Sequence, residues 1–171
     1  MIRRLGWLWA LLALSAPAQA LAPERAPRLA AATRDLLPSP LPQPYSASAD
    51  ARAEVRAARA RSKKSGKPVL LDFGANWCIN CRVFAAVIEL PEMRGWMARH
   101  FEVVTIDVGQ VDRNLDIAAF YGVPQLRAVP ALLVIDPATG ALLNKSEVTA
   151  IGGTAGVTPQ QMANWLARWT R

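Results

Sequence analysis

The stretch Asp72-Phe73-Gly74-Ala75-Asn76-Trp77-Cys78-Ile79-Asn80-Cys81-Arg82 decides how this chain folds. It holds the only two cysteines of the protein, three positions apart. The apolar run 69–71 precedes it and predicts a strand, while the run 83–90 follows it and predicts a helix. The first sulfur is then expected at a helix N-terminus, where unpaired N–H groups and the helix dipole favour a thiolate over a thiol. The stretch is typical of a redox dithiol.

The first twenty residues predict a secretory signal peptide. Arg3 and Arg4 precede an apolar run over residues 5–14, and an Ala-x-Ala sequence ends at Ala20. These are the parts of a cleaved signal, so we expect cleavage after Ala20 and a periplasmic location. The alternative is an uncleaved membrane anchor, but the apolar run is shorter than the ~20 residues that a membrane span needs.

Export changes how the two cysteines are interpreted. Outside the cytosol disulfides form and persist, so two cysteines imply one bridge or one working dithiol. A structural disulfide stabilises most when it closes a long loop, because it then constrains the unfolded chain most. A bridge between Cys78 and Cys81 closes a very short loop. Redox function is therefore favoured over a purely structural bridge.

The positive charge of the chain, +7 overall, lies in its N-terminal part. Residues 1–68 carry 12 Lys and Arg against 4 Asp and Glu, whereas residues 69–171 carry 8 against 9. The basic run 52–67 is interpreted as a solvated helix face, with contact to anionic membrane surfaces as the alternative. The sequence has no basic stripe with interleaved aromatic residues, so a nucleic-acid partner is not expected.

The remaining chain divides into two parts. Residues 21–47 are interpreted as a proline-rich linker and residues 48–171 as the folded domain. Six prolines lie between positions 23 and 44. Prolines favour extended polyproline geometry and cannot continue a helix, so this linker is expected to be a spacer or disordered.

From residue 48 the predicted order of elements is α-β-α-α-β-α-β-β-α. The predicted helices are 48–62, a helix ending near 90, 92–100, 112–121 and one that starts at the capping-box sequence Thr158-Pro159-Gln160-Gln161. The predicted strands are 69–73, 102–107, 131–135 and 141–147, the last two joined by a turn at 136–140. This order predicts an α/β fold with a central mixed four-stranded sheet flanked by helices and an extra N-terminal helix.

Three features together resemble the thioredoxin family. The sequence Asn76-Trp77-Cys78-Ile79-Asn80-Cys81-Arg82 resembles its active-site motif, and Val129-Pro130 before an apolar strand resembles its cis-proline loop. Asp72, six residues before the first cysteine, matches its buried aspartate. The resemblance covers about residues 48–171. It implies a thioredoxin fold and, more specifically, an exported thioredoxin-like thiol-disulfide oxidoreductase.

The resemblance assigns roles to five residues. Cys78 is implied to be the nucleophile in thiol–disulfide exchange, and Cys81 the resolving sulfur that collapses the mixed disulfide. Pro130 in the cis form bends the chain beside the sulfurs and frees the Val129 backbone to pair with an extended substrate. Trp77 is implied to form an apolar lip of the substrate groove, and plain core packing is its alternative.

Asp72 is the implied proton acceptor. Buried near Cys81, its carboxylate is expected to have a raised pKa and to take the proton of that thiol, and the alternative is an aspartate held by local hydrogen bonds. Two departures from the family bear on this role. Thioredoxins usually have a lysine on the neighbouring strand, whereas residues 102–107 contain none. Gly74 replaces the usual aromatic residue and is expected to open the site to solvent. A third departure does not concern Asp72: residues 124–126 look inserted beside the groove.

The resemblance implies no cofactor beyond the redox-active disulfide Cys78–Cys81. It also implies protein thiols and disulfides as substrates and a membrane protein as electron donor. No metal is expected, because a structural zinc site needs four ligands and the chain offers two cysteines and one histidine, His100. His100 is interpreted as a capping or surface residue.

The sequence leaves the direction of electron flow open. Ile79-Asn80 places neither a histidine nor a proline between the cysteines, so the familiar signs of a strong oxidant or reductant are missing. The motif as a whole favours a reducing or electron-relay role. The alternatives are a disulfide-donating oxidase, a non-catalytic binding or chaperone module that uses the same groove, and a domain with an inert disulfide.

Overall fold

The structure, a computed structural model, describes residues 24–152 and 156–170. The predicted signal peptide and its cleavage after Ala20 lie outside the described residues.

The described sheet has three strands in the order β2-β1-β3. The strands are β1 (Val69–Gly74), β2 (Glu102–Asp107) and β3 (Ala131–Ile135). β1 and β2 are parallel, with Asp72 opposite Thr105, and β1 and β3 are antiparallel, with Asp72 opposite Leu132. Every residue of β1 and β3 is buried, as expected for strands covered on both faces.

Within the described residues, five α-helices cover the sheet. They are α1 (Ala51–Ser65), α2 (Ile79–Ile88), α3 (Pro91–His100), α4 (Leu115–Phe120) and α5 (Pro159–Ala167). Asp50 caps α1 by accepting from the Ala53 N–H, and the predicted capping box of α5 is present between Thr158 and Gln161. α4 starts later than predicted, because Asn114 has a left-handed backbone with φ of 55°.

The alternation of side chains along the strands divides the core into two layers. Leu70 and Leu132 point to a layer formed with α2, α3 and α5. Leu71, Phe73 and Leu133 point to the opposite layer, formed with α1 and α4. The thioredoxin-type arrangement of a mixed sheet between helices, with an additional N-terminal helix, is confirmed.

The prediction of a fourth strand at 141–147 is wrong. Only Leu142 forms a β-bridge, to Ile135, and a 3-10 turn follows at Lys145–Glu147. The buried side chain of Asn144 takes the place of a ladder. Its Oδ1 accepts from the Val134 N–H at 2.8 Å, and its Nδ2 donates to the Leu132 carbonyl at 2.7 Å. The Leu143 N–H donates to the Val134 carbonyl and the Leu132 N–H donates to the Val148 carbonyl, so this edge of β3 is satisfied by a side chain and by separate backbone bonds without a regular strand.

Residues 24–47 pack against the domain instead of forming a free spacer; we call them the N-terminal strap. Leu29 and Leu37 are buried in the core layer of α2, α3 and α5. The Leu29 N–H donates to the Gln160 side chain at 2.9 Å, which fastens the strap to α5. The segment forms no α-helix, only a 3-10 helix at Arg34–Leu36, and Leu29 and Leu37 still pack into the core although the segment is rich in proline.

Candidate active site

The cysteine pair lies where β1 passes into α2, as predicted. Cys78 is the N-cap of α2, and its Sγ accepts from the Cys81 N–H at 3.2 Å. The two residues form a disulfide, with their Cα atoms 5.3 Å apart. Cys78 is 7% exposed and Cys81 is fully buried. An attacking group can therefore approach the sulfur of Cys78 but not that of Cys81.

The Val129–Pro130 peptide bond is cis and lies beside the disulfide. The Val129 carbonyl oxygen is 3.6 Å from the Cys78 Sγ. Gly152 lies against the same loop, and a Cβ atom there would overlap the Pro130 carbonyl oxygen. The structure thus brings together the dithiol and the Val-Pro pair singled out in the sequence, and it adds a glycine that permits their close packing.

Two exposed apolar side chains flank the first cysteine. Trp77 is 55% exposed and Ile79 is 57% exposed. The Trp77 indole donates to the Gly109 carbonyl at 2.7 Å, which holds the ring at the surface. Trp77 is therefore not a core residue, and it borders the accessible sulfur with an apolar rim.

Asp72 is almost completely buried in the middle of β1. The Tyr45 hydroxyl donates to its carboxylate and lies 3.1 and 3.0 Å from the two oxygens. Burial raises the pKa of Asp72 to about 7, and the hydrogen bond from Tyr45 lowers it in part. Burial, together with the adjacent Asp72 charge, also raises the pKa of the Tyr45 phenol, so Tyr45 remains protonated and donates.

The expectation that Gly74 opens the site to solvent is wrong. A Cβ atom at Gly74 would lie 2.5 Å from the Tyr45 ring, so the ring occupies the space beside the glycine. Tyr45 is 3% exposed and packs with Cys78 and Cys81. An aromatic residue from the N-terminal strap therefore fills the space that Gly74 leaves.

The sequence missed Tyr45 and the polar residues that hold the strap. One feature of the sequence could have indicated this contact. Tyr45 is the single aromatic residue of the proline-rich segment, and a free linker does not require one. His100 also differs from its interpretation as a surface residue. It is buried against Trp96 at the end of α3, with Nε2 3.0 Å from the Glu24 carboxylate.

Within residues 24–152 and 156–170, no group of three or more His, Cys, Asp or Glu side chains is placed to hold a metal ion. In the same part of the chain, every helix is too short or too polar to cross a bilayer.

Comparison with known proteins agrees with this geometry. A family model described as thioredoxin-like matches residues 50–137. Thioredoxin 1 of Synechococcus elongatus is 32% identical over 85 residues, which cover 46% of this chain and 72% of that protein.

Two solved structures share the fold and part of the sequence. A disulphide isomerase from Xylella fastidiosa is 35% identical with a TM-score of 0.68, over 75% of this chain and 97% of that one. The oxidised C-terminal domain of DsbD from Neisseria meningitidis is 26% identical with a TM-score of 0.50, over 71% of this chain and 97% of that domain.

Proposed function

The chain belongs to the thioredoxin-like family of thiol-disulfide oxidoreductases, and on this premise we propose that it reduces, or relays electrons to, the disulfides of exported proteins. The single observation that carries the proposal is the asymmetry of the two sulfurs. Cys78, the N-cap of α2, keeps 7% of its surface exposed, whereas Cys81 in the first turn is fully buried. This asymmetry suits one sulfur that attacks and one that resolves.

Cys78 acts first in the proposed reaction. In the reduced protein, its thiolate attacks one sulfur of a substrate disulfide and forms a mixed disulfide with it. The other substrate sulfur leaves as a thiolate and takes up a proton. The N–H groups at the start of α2, including that of Cys81, stabilise the negative charge on Cys78 before the attack.

Cys81 completes the reaction. Its thiol gives its proton to the Asp72 carboxylate and attacks the Cys78 Sγ, which reforms the Cys78–Cys81 disulfide. The second substrate sulfur is expelled and takes up a proton. The substrate gains two electrons and two protons, the dithiol loses them, and an external dithiol donor must restore the reduced form. The raised pKa of Asp72, about 7, suits a group that accepts and returns a proton near neutral pH.

The surface around Cys78 suits an extended polypeptide substrate. Val129 presents a backbone carbonyl beside the sulfur, which favours pairing with the backbone of a substrate strand. The exposed rings and methyl groups of Trp77 and Ile79 supply apolar contact on the other side. We therefore assign Val129, Pro130 and Trp77 to substrate binding.

The signal-like N-terminus supports a periplasmic location. There a dithiol that works as a reductant needs electrons from the other side of the membrane, so we propose a membrane protein as the donor. The likeness to the DsbD C-terminal domain and to the disulphide isomerase supports protein thiols and disulfides as the substrates.

The test is the reduction potential of the Cys78–Cys81 pair, measured on protein beginning at Leu21 by equilibration in glutathione buffers. A potential near about −270 mV, as in thioredoxin, supports the reducing role, while one near about −120 mV, as in DsbA, makes the protein a disulfide donor. Reduction of insulin by the protein is measured alongside. Cys78→Ser is expected to abolish it, whereas Cys81→Ser is expected to trap a mixed disulfide. A wild-type protein that does not exchange would overturn the enzymatic proposal.

A further inference from the structure

Three polar side chains of the cysteine motif, those of Asn76, Asn80 and Arg82, hold the N-terminal strap. Asn76 clamps the backbone of Tyr45 from both sides. The Tyr45 N–H donates to its Oδ1 at 3.1 Å, and its Nδ2 donates to the Tyr45 carbonyl at 2.7 Å. This pair of bonds sets the position of one particular residue of the strap.

Two further residues of the motif hold the strap at other points. Arg82 donates to the carbonyl of Leu41 at 2.8 Å and to that of Pro42 at 3.1 Å. Asn80 accepts from the Arg34 guanidinium at 2.9 Å. Three of the seven residues from Asn76 to Arg82 are thus bonded to a segment that precedes them by more than thirty positions.

Tyr45, which this clamp positions, contacts both the cysteine pair and Asp72. The Tyr45 ring packs with Cys78 and Cys81, and its hydroxyl donates to the Asp72 carboxylate. Gly74 leaves the space that the ring needs. Tyr45 therefore lies at the junction between the dithiol and the buried carboxylate.

We propose that Tyr45 is a positioning residue for thiol–disulfide exchange, and that its hydroxyl holds the Asp72 carboxylate ready to receive the proton of Cys81. This inference rests on the proposed role of Asp72 as proton acceptor. The N-terminal strap is then part of the active site, because it supplies the side chain that donates a hydrogen bond to Asp72.

Burial is the main influence on the pKa of Asp72, and the hydrogen bond from Tyr45 opposes it. Across β1, the residues in register with it are the uncharged Thr105 and Leu132. Among the described residues, Tyr45 is the titratable group that acts on the pKa of Asp72. The two cysteines pack against the ring of the same tyrosine. β2 has no lysine, so the phenol supplies the stabilising contact to the ionised carboxylate.

The experiment separates attack from resolution. Reduced protein is mixed with an excess of a chromogenic aromatic disulfide, and the release of coloured thiolate is followed in a stopped-flow instrument across pH 5.5–9. The first release reports attack by Cys78 and depends on reagent concentration. The second release is independent of that concentration and reports resolution by Cys81.

Tyr45→Phe removes the hydroxyl and keeps the ring. Loss of a hydrogen bond to a carboxylate raises its pKa, so the midpoint of the second release is expected to move up by about one pH unit. At pH 6.5 that release slows by up to about tenfold, while the first release changes little. Asn76→Ala, which frees the Tyr45 backbone, is expected to shift the second release in the same direction.

Two controls make the result specific. Tyr121→Phe makes the same chemical change at the other tyrosine of the chain, on α4's C-terminal side, and is expected to leave both releases unchanged. In an Asp72→Asn background, adding Tyr45→Phe is expected to have no further effect on the pH profile.

The outcomes distinguish the two proposals. If wild-type protein releases no thiolate, the proposed function fails and this inference fails with it. If the wild type gives both releases and Asp72→Asn alters the second, but Tyr45→Phe behaves like Tyr121→Phe, the positioning role of Tyr45 is overturned while the proposed function stands.

Discussion

The Tyr45 ring packs directly against Gly74 beside the disulfide, so closely that a Cβ atom at Gly74 would lie 2.5 Å from the ring. The ring fills the space, shields Asp72 and packs on the sulfurs. The side chain that a strand residue lacks is thus supplied by a segment far away in the chain. Substitutions in and around this site are therefore expected to change the stability and the thiol reactivity of the protein in measurable ways.

Gly74→Ala is expected to destabilise the protein by about 1–3 kcal/mol, because the added methyl group meets a packed ring and not a flexible side chain. Urea unfolding of the oxidised protein measures the change. Gly95→Ala is the matched control, since a Cβ there meets only the Arg99 guanidinium at 3.7 Å and an alanine favours the helix. Equal stabilities of the two variants would contradict the close contact between Gly74 and the Tyr45 ring. Combining Gly74→Ala with Tyr45→Ala is expected to remove most of the loss in stability that Gly74→Ala causes.

Asn144→Ala is expected to cost about 2–4 kcal/mol, because the Val134 N–H and the Leu132 carbonyl both lose their partner inside the protein. Thermal or urea unfolding measures the loss. Asn164→Ala serves as control, since its exposed side chain bonds only Gln160 and the expected change is within about 0.5 kcal/mol. A small effect at Asn144 would mean that the edge of β3 is satisfied in another way.

The ionisation of Asp72 predicts how stability varies with pH. Its pKa rises from 3.8 in the unfolded chain to about 7 in the folded protein, so between these values the folded state keeps a proton that the unfolded state has lost. The free energy of unfolding is therefore expected to fall as pH rises through this window, and Asp72→Asn to remove that fall. Above pH 7 the variant is expected to be more stable by up to about 4 kcal/mol.

Urea titrations of the oxidised protein at pH 5 and pH 8 measure this effect. Asp116→Asn is the control, because that carboxylate is 57% exposed and pairs with Arg52 at the surface. Wild-type and Asp72→Asn proteins with the same pH dependence would show that Asp72 is ionised in both states.

The two reduced thiols are expected to differ in reactivity. Cys78 lies at a helix N-terminus and keeps 7% of its surface exposed, while Cys81 is fully buried, so alkylation of Cys78 by iodoacetamide at pH 7 is expected to be at least about tenfold faster. Mass spectrometry of peptides from briefly treated protein gives the ratio, and Cys81→Ser gives the rate of Cys78 alone. Equal labelling would remove the asymmetry on which the proposed reaction depends.

Features that depend on neighbours along the chain were predictable. The strand-to-helix passage at Cys78, the caps of α5 and the sheet position of Asp72 follow from spacing and residue type within a few positions. The prediction of a fourth strand was wrong because it depended on the local pattern alone. The pattern of residues 141–147 suits a strand, but Asn144 bonds the edge of β3 through its side chain, and no local pattern reports that contact.

The sequence by itself determined the dithiol, through a strand-to-helix pattern around two cysteines, and it indicated the buried carboxylate and the Val-Pro loop through short motifs that resemble those of the thioredoxin family. Only the tertiary structure decided that the proline-rich segment is a strap and that Tyr45, 27 residues before Asp72, completes the site. The physical reason is that the strap has no periodicity of its own. Its position is set by the core that buries Leu29 and Leu37 and by the side chains of Asn76 and Arg82 that bind its backbone.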